Sequence, residues 1–275
     1  MGAYYTYLVS GLPELGFDMN LDGFSYEELS AQIMELLSEG DAKTVRFFLA
    51  FPEHREVVRR YMGASDEDAR REYVASHPEM PDYQKRFWAT SLSVMVNGEE
   101  DLAVELQGEE LEAFLKNILD REFYVAARKS RNAFVRKWYD FDLVLRNTLV
   151  AFAARIQGRA PQEEFVYPGE EPELITWIKE NFKQEDFGLK LRLSYAEDLF
   201  SALSLSDVYE RERRVDRFRW NMAEEMVRGE DFDLNAVLAY FVKAGILQRW
   251  KNLDKERGLT LLRDTVAQMR RVRFE

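Results

Sequence analysis

Cysteine is absent from the 275 residues. That excludes disulfides, thiolate zinc sites, iron–sulfur clusters and cysteine nucleophiles, and it fits a reducing compartment. Histidine is scarce: only His54 and His77 occur, and neither stands in a His-Glu-x-x-His arrangement or another metal-ligand spacing. His54 lies between Glu53 and Arg55 and reads as a surface residue, while His77 precedes Pro78 in an expected turn. No Walker lysine loop and no strand-linked glycine fingerprint is present, and no serine sits in a Gly-x-Ser-x-Gly elbow. Long hydrophobic runs are missing too. The longest, Ala236 to Val242, falls well short of the roughly 20 apolar residues a spanning helix needs. The opening Met1 to Val9 carries no basic region and does not read as a signal peptide. These absences predict no cofactor, no metal and a cytoplasmic chain.

Positive charge is the next shortage. Lys and Arg number 38 against 50 Asp and Glu, a net charge of −12, so general phosphate binding is disfavoured and no nucleic-acid partner is expected. The acids describe a solvated surface, or one suited to a partner with a basic face.

What the chain has in quantity is bulky apolar material patterned for helices. The 19 Phe, 13 Tyr and 5 Trp can fill the core of one large domain or two ordinary ones. Ser25-Tyr26-Glu27-Glu28 has the form of a capping box and opens an amphipathic run through Leu29, Ile33, Leu36 and Leu37. Gly40 is expected to stop that helix and Asp41 to cap the next, which runs to Phe51. Short helices follow near 53–62 and 66–76, then one around Phe87, Trp88 and Leu92.

From Glu109 the pattern stays helical for nearly fifty residues, with Trp138, Phe141, Leu145, Leu149, Phe152 and Ile156 as one continuous stripe. Asp142 and Arg146 stand in the favourable i,i+4 order on a neighbouring face, a pair worth about 0.3–0.5 kcal/mol if exposed. Gly158, Pro161, Pro168, Gly169 and Pro172 mark a linker. The expected organisation is therefore a helical region over 1–157 with a long central helix, a linker over 158–172, and a helical bundle over 173–275. The last part is expected to hold helices near 173–182, 189–204, 206–228, 232–251 and 254–272. Ala103 to Leu106 alternates and could form a strand, and the aromatic Tyr4 to Val9 segment is ambiguous. The fold class is all-α, a multi-helix bundle in two packed halves with at most one minor strand or hairpin.

Asp-Phe-x-Leu recurs at Asp140, Asp186 and Asp231 with nearly even spacing, a weak echo of reiterated helical units. The Asp-x-Asp pairs Asp140/Asp142 and Asp231/Asp233 superficially resemble metal-binding motifs. Residues two apart diverge on a helix, however, and Asp231 and Asp233 are placed to cap the helix that follows. Arg211, Arg213, Arg214, Arg217 and Arg219 alternate with acids and read as a salt-bridged helix face.

Three stretches carry a resemblance. They are Tyr4-Tyr5-Thr6-Tyr7-Leu8-Val9 ending in Leu12-Pro13; Asn132 to Leu143 continuing through Leu145-Arg146-Asn147-Thr148-Leu149 to Ala153-Ala154-Arg155; and Val237-Leu238-Ala239-Tyr240-Phe241 followed by Trp250-Lys251-Asn252-Leu253-Asp254. Together they resemble a bacterial family of about this length that is encoded among V-type ATPase subunits. Asp142 to Asn147 and Val237 to Tyr240 are more distantly similar to parts of the central-stalk adaptor of V/A-type ATPases, called d in eukaryotic enzymes, although a clear threefold domain repeat is lacking.

The resemblance implies a non-catalytic adaptor between the central stalk and the membrane rotor ring of an ion-transporting ATPase. Its partners would be stalk or rotor subunits, and it would lie at the inner-membrane periphery only through them. On that implication the contact residues to test are Arg146 and Asn147, taken as exposed beside the stripe, and the terminal Arg270, Arg271 and Arg273. A free-standing helical scaffold or regulatory protein, and a carboxylate-based hydrolase without a recognisable motif, are the other readings the residues leave open.

The stripe itself generates a prediction. Phe141→Ala should cost about 3–5 kcal/mol in urea unfolding if the ring is buried; a loss below about 1 kcal/mol would remove Phe141 from the core.

Overall fold

The computed structural model describes residues 2–64, 66–90, 107–159, 165–167, 169, 172–229 and 232–253. Among them there is no strand, and the regular structure is twelve α-helices and two short 3-10 helices, Phe51–Glu53 and Leu189–Leu191. The protein is all-α. The segment Ala103 to Leu106, the helix expected over 254–272, and Asp231 lie outside the described residues.

The helices are α1 (Gly2–Gly11), α2 (Tyr26–Leu36), α3 (Glu39–Leu49), α4 (His54–Gly63), α5 (Glu67–Ser76), α6 (Asp82–Ala89), α7 (Gly108–Arg128), α8 (Ala133–Ile156), α9 (Glu173–Glu180), α10 (Ala196–Leu203), α11 (Val208–Met226) and α12 (Leu234–Asn252). Many begin where local chemistry says they should. Ser25, Asp66, Asn132, Asp207 and Asp233 each accept a hydrogen bond from the backbone amide three residues on, satisfying a donor the helix would otherwise leave open. The expected stop at Gly40 is not observed. α2 ends because Leu37 turns extended, and Gly40 and Asp41 lie in the first turn of α3, where the acids Glu39 and Asp41 suit the positive end of the dipole. The near-fifty-residue helix is divided. Lys129 to Asn132 separate α7 from α8, with Asn132 capping Val135 at 2.8 Å.

The chain forms two compact units, Met1–Ser38 with Ser201–Glu275 and Glu39–Phe200. The border expected at 158–172 therefore falls inside the second unit.

In the first unit α12 is the centre. Val237, Leu238, Ala239, Tyr240, Phe241, Ala244, Ile246 and Leu247 are buried around its circumference, as befits a helix packed against α1, α2 and α11. α1 is a helix despite its strand-favouring aromatics, because Tyr5 and Leu8, one turn apart, are buried. Tertiary burial overrides propensity here. Tyr240 donates from its hydroxyl to the Pro13 carbonyl at 2.9 Å. Arg213 and Arg217 both pair with Asp18, Arg217 also lies 3.9 Å over the Phe17 ring, and Arg249 of α12 pairs with Glu212 and Asp216 of α11. The alternating charges of α11 are thus used within the unit.

In the second unit α7 packs on α4, α6 and α8. Phe123 is the hub of its aromatic core, with Phe47, Phe51, Tyr83, Tyr124 and Tyr139 around it at centroid distances of 4.5–5.9 Å. The stripe on α8 is buried at Trp138, Phe141 and Leu145, but Leu149 and Phe152 are half-buried and Ile156 is exposed. In that half of the helix the buried positions are Thr148, Ala151 and Ala154. The recurrent Asp-Phe-x-Leu motif is not a structural repeat: Asp140 lies inside α8, whereas Asp186 belongs to a turn in which Phe187 and Gly188 have φ of 52° and 66°.

That turn generates a prediction. A Cβ on Gly188 would approach the Trp177 Nε1 to 2.9 Å and would also have to hold the left-handed backbone. Gly188→Ala should cost about 1–3 kcal/mol in urea unfolding. Gly63→Ala, where nothing lies within 4 Å, should be neutral or slightly stabilising.

Candidate functional site

The densest chemistry in the described residues is a buried polar cluster in the second unit. It arises from charged residues placed in register with apolar ones. On α4 the buried face is His54, Val58 and Tyr61; on α7 it is Leu115, Leu119, Asp120, Phe123, Tyr124 and Ala127. His54 and Asp120 are both fully buried. The expectation that His54 lies on the surface is therefore corrected. Glu53 and Arg55 flank it on exposed faces, and the helical period turns His54 inward.

Asp120 organises the cluster. One carboxylate oxygen accepts from His54 Nδ1 at 2.7 Å, and the other accepts from Lys116 Nζ at 2.7 Å and from Arg146. Burial alone would push its pKa up. The His54 hydrogen bond and the Arg146 and Lys116 charges outweigh that and lower it to about 2. An ionised Asp120 fixes the imidazole tautomer: Nδ1 carries the proton, and Nε2 accepts from the Tyr83 hydroxyl at 2.8 Å. Burial lowers the His54 pKa, and the Lys116 and Arg146 charges add to this; the Asp120 contact opposes it without reversing it. His54 is neutral, since Asp120 already has two permanent cations. Gln84 donates to the Tyr83 oxygen at 3.1 Å, and burial raises the Tyr83 pKa. Beside this group, Tyr124 donates to Asp142 at 2.8 Å.

The cluster ties α4, α6, α7 and α8 together. Asp120, His54 and Tyr83 could pass a proton between them, but all are sealed, at 0%, 0% and 1% exposure, so no substrate reaches them in this conformation. Among the described residues no group of His, Cys, Asp and Glu could hold a metal ion.

Two of the residues expected at an interface are in this region, and neither is a free surface residue. Arg146 is about a quarter exposed and points its guanidinium at Asp120 rather than standing on an exposed i,i+4 face. Asn147 is buried; its amide donates to the Val166 carbonyl at 2.7 Å and accepts from the Val166 amide at 2.9 Å. Phe165 and Val166, expected in a linker, are buried by this clamp. Arg270, Arg271 and Arg273 lie outside the described residues. His77 ends α5 and is held by its Nδ1 to the Tyr73 carbonyl at 2.8 Å.

The match to the family described as Protein of unknown function (DUF2764) covers residues 1–272. The chain belongs to the DUF2764 family. The match takes in both compact units, so the buried cluster and the α1–α12 packing both lie within the family's domain. No curated protein and no solved structure matches the chain. No described helix is long and apolar enough to cross a membrane.

The cluster generates a prediction about acid. The lowered pKa values of His54 and Asp120 mean that each binds its proton more readily in the unfolded chain, so stability falls as pH falls. The His54 contribution is complete above about pH 6.5 and declines below it. The Asp120 contribution, about 2 kcal/mol, is lost from about pH 4 down through pH 2. His54→Gln should remove the first decline in a urea-unfolding pH series and leave the second. Asp120→Asn should cost about 2–4 kcal/mol at pH 7, because it leaves two part-buried cations without their anion. A wild-type stability flat between pH 7 and about pH 4.5 would contradict the neutral buried His54.

Proposed function

We propose that this protein is a non-catalytic helical subunit or assembly factor of a bacterial V/A-type ATPase, in the manner of the adaptor that joins the central stalk to the membrane rotor ring. The observation that carries the reading is the likeness of the three stretches at Tyr4 to Pro13, Asn132 to Arg155 and Val237 to Asp254. Their described parts are helices α1, α8 and α12, the framework of the two units. The first and third stretches are bonded directly, through Tyr240 and Pro13.

A non-catalytic role is supported by the sealing of the Asp120 cluster, whose acid, imidazole and phenol are spent on one another. Long helices with buried polar cross-ties suit a load-bearing adaptor, because they keep their register when one end is pushed. The contacts most worth testing are Arg270, Arg271 and Arg273. Three closely spaced arginines on an acidic chain offer a partner's acidic surface a charge-complementary contact.

Purification of the tagged chain from its native membranes in mild detergent tests this. V-type ATPase stalk or rotor subunits should be recovered in stoichiometric amount, and reversing Arg270, Arg271 and Arg273 to Glu should reduce that recovery. A monomer free of ATPase subunits would overturn the reading and favour a free-standing scaffold.

A further inference from the structure

The first unit contains an open cleft of about 300 Å³ between the loop that follows α1 and the start of α2. Leu15, Leu29 and Tyr240 form its buried floor, and half-buried Phe24 forms a wall. The floor is fixed, because the Tyr240 hydroxyl is bonded to the Pro13 carbonyl and Leu29 sits on the buried face of α2. The ionisable groups on the rim are of one sign. Asp22 and Glu28 are exposed carboxylates, and among the described residues no Lys or Arg lines the cleft.

A cation beside the cleft wall is already used: Lys251 donates its ammonium to the Phe24 carbonyl. Among the described residues Asp22 accepts only from the neutral Asn20 amide, at 3.0 Å, and the Glu28 carboxylate has no partner. This contrasts with Asp18 in the same loop, which takes two arginines. Glu28 is not needed to cap α2, since its backbone amide, not its side chain, bonds to Ser25.

We propose that this cleft is a docking site for a basic, apolar-flanked segment of a partner protein, which sets an Arg or Lys stem against Leu15, Leu29 and Tyr240 and its charged head between Asp22 and Glu28. An apolar floor under a carboxylate rim matches the two-part character of a long cationic side chain, whose methylenes bury while its head stays polar. The whole-chain charge of −12 draws such a segment in from a distance. An acidic segment would meet like charge at the rim. A purely apolar one would leave the carboxylates without a counter-ion. The site stands whether or not the partner is an ATPase component, so it is tested apart from that reading.

The test uses the full chain and a short fluorescent peptide alternating leucine and arginine, with a leucine–glutamate peptide as its counterpart. Fluorescence polarisation should show binding of the arginine peptide only, weakening as salt is raised. Asp22→Asn with Glu28→Gln should lower its affinity about three- to tenfold. Glu67→Gln with Asp68→Asn, the same charge change on exposed α5, should leave it unchanged. Gln32→Trp, placed on the exposed rim, should block the cleft with no change of charge. Circular dichroism and urea unfolding establish that each variant is folded. Absence of binding, equal loss in the α5 control, or undiminished binding by folded Gln32→Trp would each overturn the proposal.

Discussion

A carboxylate taken out of water must be compensated, and Asp120 is the point in the second unit where that requirement is most demanding. Its compensation comes from three helices at once: His54 on α4, Lys116 on its own α7, and Arg146 on α8, with Tyr83 on α6 joined through the imidazole. The aromatic core around Phe123 supplies more burial, but rings exchange partners at modest cost. The ion cluster does not. A slip of α8 by one residue turns its side chains by about 100° and carries Arg146 away from Asp120. The register of these helices therefore rests on a charge.

The same cluster shows what was legible in the amino-acid order. The fold class and most helix starts are local matters. Ser25, Asp66, Asn132, Asp207 and Asp233 cap helices by bonds spanning three residues, so their signal is contained in a short window. His54 was readable in principle, since Val58 and Tyr61 continue its face at helical spacing. Charged neighbours on either side hid it. Asp120 likewise sits inside an apolar stripe, one position after Leu119 and three before Phe123. An acid within such a stripe, with a lysine one turn earlier, signals a buried pair. The partners Arg146, 26 residues away, and His54, 66 residues away, are beyond any local rule.

Two other differences have a common cause. On α8 the large residues Leu149, Phe152 and Ile156 suggested the inward face, yet Thr148, Ala151 and Ala154 are the buried ones. Small side chains let neighbouring segments approach closely: α9 packs on α8, and Asn147, one position before Thr148, holds Val166. A periodicity weighted by hydrophobic size follows bulk, whereas burial follows what packs against the helix. Of the stretch 158–172, the described Phe165 and Val166 lie outside any helix and are nonetheless buried. Irregular backbone can still be buried when a side chain such as Asn147 supplies the hydrogen bonds that a strand or helix would have supplied.

The two units illustrate how an acidic chain divides its charges by task. Asp18, Asp120 and Asp216 each bond to arginine, and removing any of them would take an anion from a cation of the same chain. Among the described residues no cation answers Asp22 or Glu28, although Asp22 lies only four residues from Asp18 in the same loop. Composition cannot separate these groups, because an Asp is an Asp in a charge count. Whether a carboxylate serves the fold or is left for a partner depends on whether a cation of its own chain already answers it. By that criterion the Asp120 cluster is closed to further chemistry, while the cleft above Tyr240 keeps its charges available over an apolar floor.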